Sequence, residues 1–372
     1  MAETVSPTEP NGEINAKTDK FSQKKTSSGG PMKFVYPVVG FIHVVVLYLE
    51  MFFSTNVLPT LSFFFCKLVS RTLHHGIIAA MGAVTHKQVL VWMERVGGLT
   101  PIYYGDYDLL RTKYVSSKLV ISNHQSFTDS VLLYGLAWRN GHIGHMKAIA
   151  KKGLMFWPII GVLWLYSNFI FLSRDFLSDA PNIQRQLKTL SENAKRHSSN
   201  FWLMIYPEGT RCRPGSIAKG QEYSKSKGLP VFTHTLVPRV KGCQVMLPAI
   251  HDVIDAVVDV TIGYKERTAK GKIIPSLESL LFGGGRKYDV HFHIRVIPVA
   301  EVPNDEDKIH DWLMKVFDEK NKLLQDFEKT GVFPAPVKEE DVYRPSLFVD
   351  VIGNICVHFF VMTVVVAGMY YG

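Results

Sequence analysis

Cysteine is scarce in this chain. Its 372 residues hold only Cys66, Cys212, Cys243 and Cys356, with no CxxC pair. That excludes a disulfide framework and a cysteine zinc cage. No G-x-S-x-G elbow occurs, so a serine-hydrolase nucleophile has no support. A Walker A segment and a G-x-G-x-x-G turn after a strand are both missing. H-E-x-x-H is absent, and His74-His75, His142/His145 and His291/His293 lack a carboxylate or thiol set, so no metal is expected. No nucleic-acid module is present, and no such partner is expected. Internal repeats are absent. Charge is thin: charged residues make up 20%, against roughly 25% in an average soluble domain. Acidic residues are the rarer sign, 33 against 42 basic, for a net +9. A basic balance fits a polyanion, an anionic membrane surface or a phosphorylated substrate, with plain solubilising charge as the alternative. Hydrophobic residues at 47% make the chain too apolar to be disordered as a whole, and its length predicts two or three units.

The ends read as tail and membrane. Residues 1–33 are polar and predict a disordered tail. From Phe34 to Cys66 the only charged residue is Glu50. As one helix this run would reach about 50 Å, well beyond a hydrocarbon core of about 30 Å. Ser54-Thr55-Asn56 and Pro59 predict a turn, so 34–74 reads as a membrane hairpin, with one tilted span as the rival. Basic residues on both sides suit a hairpin whose ends are both cytosolic. Residues 336–346 read as a linker. Val351 to Gly372 has no charged residue, and 347–372 predicts a C-terminal transmembrane helix.

A third uncharged run, Gly153 to Ser173, is broken by Pro158, Gly161 and Ser167-Asn168. It predicts a helical turn at the membrane surface or a lipid-groove wall, followed by a short strand over 168–173, and no membrane crossing. Between these ends, residues 75–335 alternate strand and helix signals. Strands are predicted at 118–122, 201–206, 231–237, 259–264 and, with period two, 288–296. Helices are predicted at 130–138 and from Ile309 to Phe327, the latter stopped by Gly331. The fold class is α/β: a mixed sheet flanked by helices.

Two constellations could carry chemistry. Asn123-His124-Gln125-Ser126-Phe127-Thr128-Asp129 lies between a strand and a helix. A strand would separate His124 from Asp129 by about 16 Å, so only a turn brings them together. An Asp on one ring nitrogen fixes the tautomer and leaves the other nitrogen as a base. The alternative is a helix capping box, Ser126-x-x-Asp129. The second constellation is Pro207-Glu208-Gly209-Thr210-Arg211, where glycine admits close approach of an anion and arginine offers a fork suited to phosphate. Lys151, Lys152, Arg174, Arg239 and Lys241 stand at predicted element ends.

NHQSFTD, FLSR, YPEGTR and GLPVFTHTLVPR, in this order, resemble the 1-acylglycerol-3-phosphate acyltransferases, also called the lysophosphatidic acid acyltransferase family, over about residues 100–335. YYGD, LVPRVKG and TGVFP are similar to the eukaryotic membrane subgroup that includes lysocardiolipin acyltransferase. The resemblance implies a glycerolipid-acyltransferase-like fold. It makes His124 the base and Asp129 its partner, beside Asn123 of the same motif. It makes Arg174 a phosphate contact, Glu208, Gly209, Thr210 and Arg211 a glycerol-phosphate site, and Lys151 a supporting lysine. Gly153 stands where the family carries an acidic residue, and Tyr206 where it more often has Phe.

The implied reaction moves an acyl group from acyl-CoA, a co-substrate, to the free sn-2 hydroxyl of a lysophospholipid, with lysophosphatidic acid as the expected acceptor. No cofactor is implied. Amides after Ser126 or at Gly209 are candidate oxyanion donors. The alternatives are another acceptor (lysocardiolipin or lysophosphatidylinositol), a CoA-independent transacylase, or a catalytically silent membrane scaffold. Membrane lipids are the expected surroundings, and nothing in the sequence names a protein partner. The family implies a multi-pass protein of the endoplasmic reticulum membrane with a cytosol-facing site, the mitochondrial outer membrane being the alternative.

Overall fold

The computed structural model describes residues 45, 48–49, 52–95, 97–112, 116–157, 160–173, 176–197, 200–267, 274–282 and 287–337. The polar tail and the C-terminal helix expected at 347–372 lie outside these residues, as does most of the linker.

Among the described residues, seven strands form one sheet: β1 Leu99–Gly105, β2 Lys118–Ser122, β3 Met146–Lys151, β4 Ile170–Leu172, β5 Trp202–Ile205, β6 Ala256–Glu266 and β7 Tyr288–Pro298. Their order is β1-β7-β6-β2-β5-β3-β4. β6, β2, β5, β3 and β4 run parallel, while β7 is antiparallel to β6 and carries β1 parallel to itself. The central strands are apolar on both sides because helices cover both faces. Val120, Trp202 and Met204 face a core shared with α2 (Arg71–Arg95) and α4 (Asp129–Arg139). Leu119, Ile121, Leu203 and Ile205 face the opposite core, built with α6 (Phe176–His197), α8 (Val240–Ile250) and α10 (Glu306–Thr330). The shorter helices are α3 Tyr107–Thr112, α5 Gly161–Tyr166, α7 Pro214–Lys227 and α9 Leu277–Phe282.

The period-two strand and the amphipathic helix stand where their patterns predict. Tyr288, Val290, Phe292, Ile294 and Val296 are buried along β7. Ile309, Leu313, Phe317, Leu324 and Phe327 are buried along α10. Gly331, at φ 73°, ends that helix in the left-handed conformation that glycine reaches without strain.

Two expectations fail. The turn expected at 54–59 is helix: the chain is helical through Phe53–Val69 (α1), with π turns at Phe53–Val57 and Ser62–Cys66. Pro59 sits at the start of an α segment, where its missing N–H matters least, and widened π turns absorb the local mismatch. The polar residues that suggest a turn are satisfied within helices. Asn56 donates to the Phe52 carbonyl at 3.1 Å, and Ser54 Oγ lies 3.2 Å from Thr85 Oγ1 of α2. The corner falls at Ser70, whose extended backbone separates α1 from α2 and whose hydroxyl accepts from Leu73 N at 3.2 Å. α2 therefore runs through the boundary expected at 75. It is long and apolar enough to cross a membrane by length and composition, with 56% of its apolar window buried in protein. The second failure is the strand expected at 231–237. That segment is irregular because its amides bond to side chains rather than to a ladder: Thr233 N and His234 N donate to Asn321 Oδ1 at 2.9 and 2.8 Å.

Among its described residues, the run 153–173 holds no helix long enough to cross a membrane. Its described parts are a 3₁₀ turn (Lys152–Phe156), the six-residue α5 and the three-residue β4. Six helical residues extend only about 9 Å.

Candidate active site

β2, β5, β3 and β4 are parallel, so their carboxyl ends open on the same side of the sheet, where α/β folds place ligands. The NHQSFTD turn follows β2, YPEGTR follows β5, Lys151 ends β3, and Ser173 follows β4. The topology thus gathers at one edge the motifs that lie far apart in the chain. Arg174 lies outside the described residues.

Within the first turn, His124 Nδ1 lies 2.8 Å from Asp129 Oδ2. Asp129 is fully buried, whereas the His124 side chain keeps 19% exposure. The same carboxylate oxygen accepts the amides of Gln125 and Ser126 at 2.6 and 2.8 Å. The amide of Ser126 on Asp129 is one half of a capping box, so the capping and His–Asp arrangements coexist on one carboxylate. The other half differs, because Ser126 Oγ accepts from Thr128 N at 3.2 Å. Asp129 Oδ1 accepts the phenol proton of Tyr264 on β6. Asn123 is a buried staple: its side chain donates to the Ile262 carbonyl at 3.1 Å and accepts the Ile262 amide at 2.8 Å. Gln125 adds a bond to the same carbonyl at 3.0 Å.

The second turn closes directly on the first. The Tyr206 ring stacks on the His124 ring at 4.1 Å between centroids, and its hydroxyl lies 3.1 Å from Ser130 Oγ. Cys212 N donates to the His124 carbonyl at 2.6 Å. Glu208, only 2% exposed, accepts the His124 amide at 3.3 Å and the Leu236 amide at 3.4 Å, tying three loops together. Burial pushes its carboxyl up to about 8. Gly209 and Thr210 are exposed and Arg211 is half-buried. Gly209 has φ +68°, the left-handed conformation that favours glycine, and the flexible end of the Arg239 side chain packs against it. Arg239 is held by its amide on the Pro207 carbonyl at 2.7 Å.

Asn123 and Glu208 thus serve backbone amides and carbonyls, while Gly209, Thr210 and Arg211 form the accessible part of the turn. Of the amides suggested for an oxyanion, Thr128 N donates to Ser126 Oγ at 3.2 Å and Gly209 N to the Tyr206 carbonyl at 2.9 Å. Sequence reasoning missed Tyr264, whose only signal is an apolar strand pattern, and the packing of Arg239 over Gly209. A groove of 870 Å³ lies beside β4, lined by Lys152, Met155, Leu165, Phe171, Ser173 and Arg185 among others. Met155 and Leu165 belong to the segment expected to wall an acyl groove. Among the described residues, no group of three or more His, Cys, Asp or Glu could hold a metal ion.

Two family models match the chain: "Acyltransferase" over residues 110–235 and "Acyltransferase C-terminus" over residues 279–352. The "1-acyl-sn-glycerol-3-phosphate acyltransferase delta" of Bos taurus is 29% identical over 266 residues, covering 72% of this chain and 68% of that protein. The "Probable 1-acyl-sn-glycerol-3-phosphate acyltransferase 5" of Arabidopsis thaliana is 32% identical over 245 residues, covering 64% of this chain and 62% of that one. The "1-acyl-sn-glycerol-3-phosphate acyltransferase gamma" of Pongo abelii is 31% identical over 216 residues, covering 58% and 54%.

Proposed function

Because the chain belongs to the acyltransferase family, its relatives being 1-acyl-sn-glycerol-3-phosphate acyltransferases, we propose that it acylates the sn-2 hydroxyl of lysophosphatidic acid with acyl-CoA as donor, using His124 as the base. The observation that carries this reading is the 2.8 Å contact between His124 Nδ1 and the buried Asp129, on a turn packed against YPEGTR. Asp129 holds the imidazole with its proton on Nδ1, so Nε2 can accept one. The acceptor hydroxyl is itself the nucleophile, and no enzyme Ser or Cys is required. As its oxygen bonds to the thioester carbonyl carbon, its proton passes to Nε2. When the tetrahedral intermediate collapses, the C–S bond breaks and the thiolate of CoA recovers that proton. General-base action of this kind contributes about 10²–10⁴-fold. Arg211, with Arg174, clamps the phosphate and presents the hydroxyl, and Lys151 adds positive charge at the end of β3. No cofactor takes part.

We place the protein in the endoplasmic reticulum membrane, anchored by its N-terminal helices and the helix expected at 347–372, with the site facing the cytosol. The exposed apolar side chains of α1, such as Phe64, Leu68 and Val69, suit a lipid environment. His124 and Arg211 must share one compartment, so cysteines introduced at 140 and 215 should label from the same membrane face; labelling from opposite faces removes the shared site. Fractionation decides between the endoplasmic reticulum and the mitochondrial outer membrane.

The test of the function is CoA release by purified membranes supplied with acyl-CoA and, in turn, lysophosphatidic acid, lysocardiolipin and lysophosphatidylinositol. The expected result is the highest kcat/KM on lysophosphatidic acid. Preference for another acceptor reassigns the head group, transfer from a phospholipid without CoA points to a transacylase, and inertness toward every pair leaves the scaffold reading.

A further inference from the structure

Asp129 lies at the centre of the turn, and its two oxygens are used differently. Oδ2 takes three donors from its own turn: His124 Nδ1 and the amides of Gln125 and Ser126. Oδ1 takes its donor from the sheet, the phenol of Tyr264 on β6. The two residues are 135 apart in sequence, and the pairing of β6 with β2 brings them together. The same pairing sets the register of the turn. Asn123 and Gln125 both bond Ile262, and Tyr264, two residues further on, points to the same side of the strand. Tyr264 lies between the stretches matched by the two family models.

We propose that Tyr264 is the positioning residue of the base: by occupying Asp129 Oδ1 it fixes the plane of the carboxylate, leaves Oδ2 for the imidazole, and limits how strongly the carboxylate draws the proton of His124. The inference rests on the base assignment made above and adds a residue to it. The phenol is fully buried, and burial together with the nearby Asp129 pushes its ionisation well above 10, so it remains a donor over the working pH range. Other titratable groups also bear on this centre. Tyr206 acts from the end of β5, Glu208 from the second turn, and Lys320 from α10 through Glu208. None of these is seen to hydrogen-bond Asp129 among the described residues. A carboxylate that loses a donor carries more of its charge toward the remaining partners. Without Tyr264, Asp129 therefore holds the imidazolium form of His124 more tightly. The base then surrenders its proton less readily.

The experiment compares wild type, Tyr264→Phe, His124→Ala and the double variant by pre-steady-state acyl transfer in membranes across pH 5–9. Tyr264→Phe keeps the ring and removes only the donor. It should lower kcat by about tenfold, a fraction of what a general base supplies, and leave the KM for lysophosphatidic acid within about twofold. The acid limb of kcat/KM should move to higher pH by about half a unit. In the His124→Ala background the same change should cost nothing further. Replacing Tyr264 with 3,5-difluorotyrosine, a stronger donor of nearly the same shape, should move the acid limb the other way, and this serves as the test if the Phe variant does not fold. A Tyr264→Phe enzyme with wild-type kcat and an unmoved limb overturns the proposal. So does an equal loss in both backgrounds, which marks a structural role. Full activity in His124→Ala removes the base and the proposal with it, whereas dependence on His124 beside a Tyr264→Phe change without effect overturns the proposal alone.

Discussion

The two turns that face each other at the carboxyl ends of β2 and β5 are built in opposite ways. The first, 123–129, is densely bonded and mostly buried, with Phe127 exposed and His124 half-buried: Asn123, Gln125 and Asp129 are at most 4% exposed, and each bonds to a neighbour on another element or within the turn. The second is anchored at its base by Glu208 and Tyr206, but its tip at Gly209 and Thr210 is open. The difference matches two tasks. A general base works only at a fixed angle and distance, so its ring is tied down. A group that receives a lipid headgroup has to be reached, so its turn keeps a rigid root and an accessible end.

Breaking the first turn should cost most. Asp129→Asn replaces an acceptor-only group with an amide that cannot satisfy the amide donors and His124 Nδ1 together. The imidazole then loses its tautomer, and single-turnover acyl transfer should slow by about 10³–10⁴-fold, with little change in the concentration of lysophosphatidic acid needed. Breaking the second turn should split the other way. Arg211→Ala removes a charged contact to phosphate and should raise the acceptor KM by about 10–100-fold, with a smaller effect on kcat; titration of the acceptor at saturating acyl-CoA reads the split. Gly209→Ala probes the tip of the second turn. Its φ of +68° strains any residue that carries a Cβ, so thermal melting should show a loss of about 1–3 kcal/mol.

The smallest effect concerns pH. Glu208 has its carboxyl raised to about 8 in the folded protein from an ordinary value of 4.5. A raised carboxyl means that the folded state binds the extra proton, so stability should fall as pH rises from about 4.5 to about 8. Glu208→Gln has no proton to lose there. Denaturant melts at pH 5 and pH 8 should therefore show a smaller drop for the variant than for wild type. An equal drop in both would place the pH sensitivity elsewhere.

Much of this contrast is legible in the residues themselves. The five-residue spacing of His124 and Asp129 demands a turn, and the apolar runs on either side supply the strand and helix that hold it. The strand at 288–296 and the helix ending at Gly331 follow from patterns of period 2 and 3.6, and the strand at 118–122 from a short apolar run, all of them local properties. What was not legible depends on pairing. Nothing in Val-Thr-Ile-Gly-Tyr marks Tyr264 as a partner of Asp129, because only the sheet order brings β6 beside β2. Ser54-Thr55-Asn56 and Pro59 have the composition of a turn, yet Ser54 finds Thr85 on the neighbouring helix and the chain stays helical. Residues 231–237 carry the apolar content of a strand, but Asn321 takes their amides.

The central claim is that the imidazole of His124 accepts the proton of the acceptor hydroxyl. Single-turnover transfer from radiolabelled acyl-CoA to lysophosphatidic acid, measured in matched membranes bearing wild type or His124→Ala, tests it most directly. The account predicts a rate lower by about 10²–10⁴-fold in the variant, with acyl-CoA binding retained. A variant rate within about twofold of wild type would contradict it.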